Sequence, residues 1–194
     1  MNKIGATMHK QYEVAVMVGS LRKKSFNRML AKALMELASP SLSLRMVEIG
    51  DVPFYNDELE DAPPATWQTL RQRVGKADAV LFLTPEYNRS VPAVLKNAVD
   101  VLSRPYGKSP LMGKPAAIIS ATPGTLGGFG ANHHLRQSLM CLGVNTMATP
   151  EAYVGGVAGL FDEQGNLVNT GTQNFLLKFL EAFEQWIGTT CRSA

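Results

Sequence analysis

Three short segments gather the residue types that hold a phosphorylated, planar ligand. The first, residues 19–28, reads GSLRKKSFNR. Ser20, Ser25 and Asn27 are short polar side chains, and Arg22 is a cation with a bidentate fork. They fall where a buried strand gives way to an amphipathic helix, and a helix start offers free N–H donors and the positive end of its dipole to phosphate. Neither GxxxxGK[ST] nor GxGxxG occurs there, which excludes a triphosphate cradle and weakens a dinucleotide one. A plain serine N-cap with a solvated basic face is the alternative reading of the same residues.

The second segment, residues 84–92, reads TPEYNRSVP, with a proline near each end that stiffens it. A stiff loop presents backbone N–H and C=O groups at fixed positions to a flat polar heterocycle, and Tyr87 offers a ring beside it. A structured turn with a partly buried tyrosine explains the composition equally well. The third, residues 120–130, reads SATPGTLGGFG. Its glycines permit close approach of backbone to a ligand, or positive φ in turns.

Other chemistries find less support. His133 and His134 are neighbours, so on a helix they point about 100° apart and share no metal ion; surface or interface roles fit them better. Asp57, Glu58, Glu60 and Asp61 read as a solvated loop beside Pro63 and Pro64. Cys141 and Cys191 are far apart, without metal or redox spacing, and Cys141 reads as a small buried hydrophobe. No GxSxG elbow and no Ser/His/Asp order is present. A metal site, hydrolysis and a catalytic side chain are therefore not expected.

The elements that must position these segments follow from periodicity. Of the 194 residues 45% are hydrophobic and 18% charged, with a formal net charge of +3. That composition excludes disorder, and the basic excess is too small to call for nucleic acid. The longest apolar runs, residues 14–18 and 79–83, are far too short to span a membrane. The polar leader 1–11 lacks the apolar core of a secretory signal, which fits a reducing cytoplasm. Strands are expected at 12–18, 44–49, 79–84, 116–120 and 144–149, and helices at 26–37, 66–76, 93–102, 132–142 and 175–186, followed by a tail, 188–194. Strands alternating with helices predict an α/β fold in one domain, 1–194: a doubly wound, five-stranded parallel sheet of order 2-1-3-4-5. Ligands of such sheets bind outside the carboxyl ends of the strands, where all three segments fall.

Two of these stretches, GSLRKKSFNRMLAKAL (19–34) and TPEYNRSVPAVLKNAVD (84–100), resemble the NADPH-dependent FMN reductase family, in particular its bacterial chromate and quinone reductase branch, which includes azo-dye reductases. LSRPYG, GGFGAN and PEAYVGG extend the resemblance over nearly the whole chain. It implies a flavodoxin-like fold, non-covalent FMN, NADPH or NADH as electron donor, and a homodimer or homotetramer with the flavin near a subunit interface. Ser20, Arg22, Ser25 and Asn27 match the phosphate positions. Pro85, Glu86, Tyr87 and Asn88 match the loop that holds the isoalloxazine, and Ser120, Thr122 and Gly124 would border the ring. Ala93 and Val101 depart from the family's usual glycine and tryptophan. The implied reaction is ping-pong: hydride passes from nicotinamide to flavin N5, then to a quinone, chromate, an azo compound or free flavin. The rival readings are a flavodoxin-type electron carrier without NAD(P)H activity, a class that is usually acidic, and a fold relative that has lost FMN.

Overall fold

Val14, Val16 and Val18 turn to one side of β1 (Tyr12–Val18), Ala15 and Met17 turn to the other, and all five are buried. A strand that is apolar on both sides needs cover on both faces, which a parallel sheet obtains from its crossover helices. In the computed structural model, which describes residues 10–191, that cover is complete. β1 pairs in parallel with β2 (Leu42–Val47) and β3 (Ala79–Thr84), and β3 pairs with β4 (Pro115–Ala121). Against β4 lie two short parallel strands, β5 (Asn145–Thr146) and β6 (Ala152–Val154). The order is β2-β1-β3-β4-β5, as expected, in a flavodoxin-like arrangement.

Helices α1 (Phe26–Leu37) and α5 (Thr170–Thr190) bury Leu30, Leu34, Phe179 and Phe183 against the face carrying Val14, Val16 and Leu81. On the opposite face, α2 (Ala65–Lys76), α3 (Ala93–Leu102) and α4 (Phe129–Cys141) pack Trp67, Leu95, Leu102 and Leu135 against Met17 and Phe82. Ser25 stops α1 at its start: its backbone is extended and its hydroxyl accepts the Arg28 N–H at 3.3 Å.

Several boundaries differ from the sequence reading, each for a local reason. The fifth strand is divided. Residues 145–146 pair with Pro115 and Ala116, the chain swings out around Pro150, which has no N–H to give a ladder, and residues 152–154 rejoin β4. Helix α4 starts at Phe129 because Gly128, at φ 81°, caps a helix inside what composition marks as loop. Asn169 caps α5, accepting the Thr172 N–H, so the helix begins with polar residues that carry no apolar period. That helix continues to Thr190, so residues 188–190 of the expected tail are helical; 192–194, and 1–9 of the polar leader, lie outside the described residues. Among the described residues no helix is long and apolar enough to cross a membrane.

Leu81, on the central strand β3, has no exposed surface. Leu81→Ala is expected to lower the unfolding free energy by about 2–5 kcal/mol in urea titration, the range for emptying a closed core position.

Candidate functional site

The carboxyl edge of the sheet brings the three segments together, and named contacts tie each to the next. The Gly19 N–H donates to Leu83 O at 2.8 Å, joining the ends of β1 and β3. A Cβ at Gly19 would stand 3.1 Å from Leu95 Cδ2 and 3.2 Å from its Cβ, so the chain turns here directly over α3. Ser20, Ser25 and Asn27 are buried, whereas Arg22 is exposed and has no ionic partner among the described residues. Asn27 donates Nδ2–H to Ala121 O at 2.9 Å, which binds the first loop to the third. Its Oδ1 is buried without a hydrogen-bond partner.

The second loop is a hairpin in miniature. Tyr87 and Ser90 exchange both backbone hydrogen bonds at 3.0 Å, with Asn88 at φ 50° and Arg89 at φ 64° between them. Two consecutive left-handed residues make this a type I′ turn; asparagine tolerates that region, but arginine is held there at a cost on the order of 1 kcal/mol. The holding groups come from α4. Glu86 Oε2 accepts the Ala131 N–H at 3.1 Å, and Ser90 Oγ lies 3.0 Å from His134 Nδ1. The Glu86 carboxylate thus sits on the positive end of the α4 dipole. A Cβ at Gly130 would lie 2.8 Å from Arg89 O and 2.9 Å from Glu86 Oε2, so this clamp needs glycine at that position.

In the third loop the glycines serve packing. A Cβ at Gly127 would fall 2.6 Å from the Tyr153 carbonyl carbon, and Thr122 N–H donates to Val154 O at 3.0 Å. Ser120, expected in the loop that borders the ring, turns its side chain into the fold. It is fully buried, and its Oγ lies 3.4 Å from both Ala152 O and Asn132 Nδ2.

Between the first and second loops lies an open cleft of about 440 Å³, lined by Gly19, Leu21, Arg22, Tyr87, Pro92, Ala93 and Val94. Of the expected site residues, Arg22 and Tyr87 line it. Ser20, Ser25 and Asn27 stand behind Arg22 at the α1 start, Asn88 is at the exposed turn tip, and Glu86 is engaged with α4. Pro85 accepts the Thr84 hydroxyl at its carbonyl, 2.7 Å away, and Thr122 Oγ1 donates to Gly124 O at 3.2 Å. Leu21 and Val94 were not anticipated. Neither was Asn97, which holds residues 52–55 against α3; a buried asparagine inside a helix is itself the signal of a tertiary partner.

Residues outside the cleft also find partners. His133 Nε2 is 2.9 Å from Tyr153 OH, and burial, followed by a bond to Glu151, pushes that phenol up to about 12. Glu60 is not solvated as expected: it pairs with Arg71 at 2.6 Å, both side chains being largely covered. Cys141 is exposed rather than buried, on the α4 side that opens toward α3.

A partnerless buried acceptor on Asn27, a hydroxyl on Ser20, an unpaired Arg22 and a helix start with no acidic residue in its first turn suit a phosphate carried on a hydroxylated chain. The adjoining cleft suits a planar ring. Fold and site together define an α/β protein of the kind that binds a flavin mononucleotide. Residues 12–159 match the family described as NADPH-dependent FMN reductase, and the chain belongs to that family. It is 56% identical over 181 residues to a quinone reductase of Pseudomonas putida, covering 93% of this chain and 97% of the relative. It is 41% identical over 175 residues to a 2-hydroxy-1,4-benzoquinone reductase of Burkholderia sp, covering 90% and 96%. Among solved structures, the flavoenzyme NAD(P)H:(acceptor) oxidoreductase FerB of Paracoccus denitrificans superposes with a TM-score of 0.87 at 43% identity, over 92% of this chain and 98% of that one.

Gly130→Ala is expected to push the 86–90 turn off α4. Hydrogen exchange at the Tyr87 and Ser90 amides should quicken at least tenfold, and stability should fall by about 1–3 kcal/mol, the usual cost of overpacking.

Proposed function

We propose that this chain works as one FMN-carrying unit that oxidises NADPH or NADH and reduces quinones, with chromate, azo compounds and free flavin as further acceptors. The observation that carries the reading is the juxtaposition of the Ser20 hydroxyl, the Arg22 guanidinium and the unpartnered Asn27 Oδ1 with an apolar cleft walled by Leu21, Tyr87 and Val94. FMN, when bound, supplies a two-electron centre that takes reducing equivalents from a nicotinamide and returns them to an oxidant. No side chain needs to perform acid–base chemistry on such a route.

What the protein contributes is position and charge. Arg22 and the α1 N-terminus offset the phosphate charge, with the Ser20 and Ser25 hydroxyls beside them. Asn27 Oδ1 would accept from the hydroxylated chain. The backbone of residues 85–88, stiffened by its type I′ turn and its clamp on α4, would hold the polar part of the ring, with Thr122 and Gly124 bordering it. A quinone gains two electrons and two protons, a hydride equivalent from NAD(P)H and a proton from solvent, leaving hydroquinone and NAD(P)⁺. Donor and acceptor take turns in the one cleft. The working form is a homodimer or homotetramer in the cytoplasm, and the open groove of about 530 Å³ between α3 and α4, lined by Val91, His134, Cys141 and Leu142 among others, is surface available to a second copy.

Stopped-flow mixing of the FMN-loaded protein with NADPH tests the reading. Bleaching of the flavin band and its recovery on adding benzoquinone are the expected result; a bound flavin that NADPH does not bleach points instead to an electron carrier. Arg22→Ala is expected to raise the Kd for FMN roughly ten- to a hundredfold, from about 1.5–3 kcal/mol for a charge-assisted hydrogen bond.

A further inference from the structure

Residues 50–56 follow β2 at the carboxyl edge of the sheet, and contacts at two points tie them to Leu21 and to α3, which both contribute to the cleft. At Gly50 the backbone is bare, and Leu21 lies on it: a Cβ there would stand 2.9 Å from Leu21 Cδ2. Leu21 in turn lines the cleft. Further along, Asn97, one turn of α3 beyond the cleft-lining Ala93, donates Nδ2–H to Val52 O and Pro53 O at 3.1 Å and accepts the Tyr55 N–H at 2.8 Å. Trp67 Nε1–H adds a bond to Pro53 O at 3.0 Å, and the Tyr55 ring stacks on Trp67 at 5.4 Å.

With the Pro53 carbonyl bonded to Asn97 and Trp67 and the Tyr55 amide bonded to Asn97, Phe54 lies between two fixed points and is 76% exposed. Leu21 is 57% exposed and Tyr87, on the other side of the cleft, 49%. A phenyl group held in water on a clamped segment is apolar surface that a bound molecule gains by covering. The charged side chain lining the cleft is Arg22, at the phosphate end; the remainder of the lining offers apolar surface and one phenol.

We propose that Leu21 and Phe54 form the acceptor-side wall of the cleft and set its preference for flat, apolar acceptors of more than one ring. The proposal rests on the quinone-reducing function argued above. A fused-ring quinone gains contact and desolvation against Leu21 and Phe54 with Tyr87 opposite, whereas a hydrated anion gains neither. Phe54 and Leu21 are specificity-determining residues, and Asn97 is the positioning residue that keeps Phe54 outward.

The test compares holoenzyme and Phe54→Ala, an exposed site whose truncation leaves the core intact, with two acceptors: 1,4-naphthoquinone and ferricyanide. In a ping-pong reaction kcat/KM for the acceptor reports the oxidative half alone, so the donor step does not enter. The expected result is a fall of about tenfold for naphthoquinone with ferricyanide held within about twofold, and a similar loss in Leu21→Ala. Anaerobic titration of the oxidised holoenzyme with 1,4-dihydroxynaphthalene, followed in the flavin spectrum, should show the same weakening without turnover. Equal losses for both acceptors, or no loss for naphthoquinone, overturn the proposal. So does a change in sedimentation without the acceptor contrast, which assigns Phe54 to a subunit contact. Wild-type enzyme that passes electrons to neither acceptor brings down the proposed function itself, a result distinct from an active wild type indifferent to Phe54.

Discussion

The carboxylate of Glu86, set on the first turn of α4, is the contact on which the site's geometry turns. A loop at the end of a parallel strand has no ladder to hold it, and residues 86–90 contain two left-handed residues that an isolated chain rarely populates. The bond from Ala131 N–H, the helix dipole behind it and the His134–Ser90 contact supply what the loop's own backbone lacks. The absence of a Cβ at Gly130 lets them close to that distance. Asn27 does the same for the other pair of loops, reaching from α1 to Ala121 at the end of β4. In this way the cleft is walled by loops but braced by helices.

That division of labour explains why so few of the site's polar side chains point at the cleft. Glu86, Ser120 and Asn97 hold backbone segments in place, and the cleft itself is lined by a glycine, a proline and apolar groups with Arg22 and Tyr87 among them. Such a site orients a cofactor that carries its own reactivity, and it does so with a surface that discriminates by shape more than by hydrogen bonding.

The fold was legible because its signals are local. Val14 to Val18 and Ala79 to Leu83 are unbroken apolar runs, which a sheet covered on both faces requires, and Ser25 marks the start of α1. The divided fifth strand was not legible, since two residues of pairing leave no periodicity to read. At the site, residue types marked Arg22 and the start of α1, because charge and helix start are both visible in sequence. The roles of Glu86, Ser120 and Phe54 were not visible. Each is decided by what a distant segment places beside it: Ala131 for Glu86, Ala152 for Ser120, and Asn97 for the loop that carries Phe54. Composition cannot report a partner 45 residues away.

The break in the fifth strand bears on how the protein behaves in a crowded solution. An open sheet ends in rows of unsatisfied N–H and C=O groups, and a long, flat edge invites a strand from another molecule. Here β5 meets β4 over two residues and β6 meets it over three, with Pro150 between them. Beyond β4 the outermost ladder is therefore cut into pieces shorter than the five or six residues a typical strand uses to pair. An interruption that shortens the ladder thus makes the sheet's β4 side a poor template for aggregation, and leaves β2, six residues long, as the one continuous edge among the described strands.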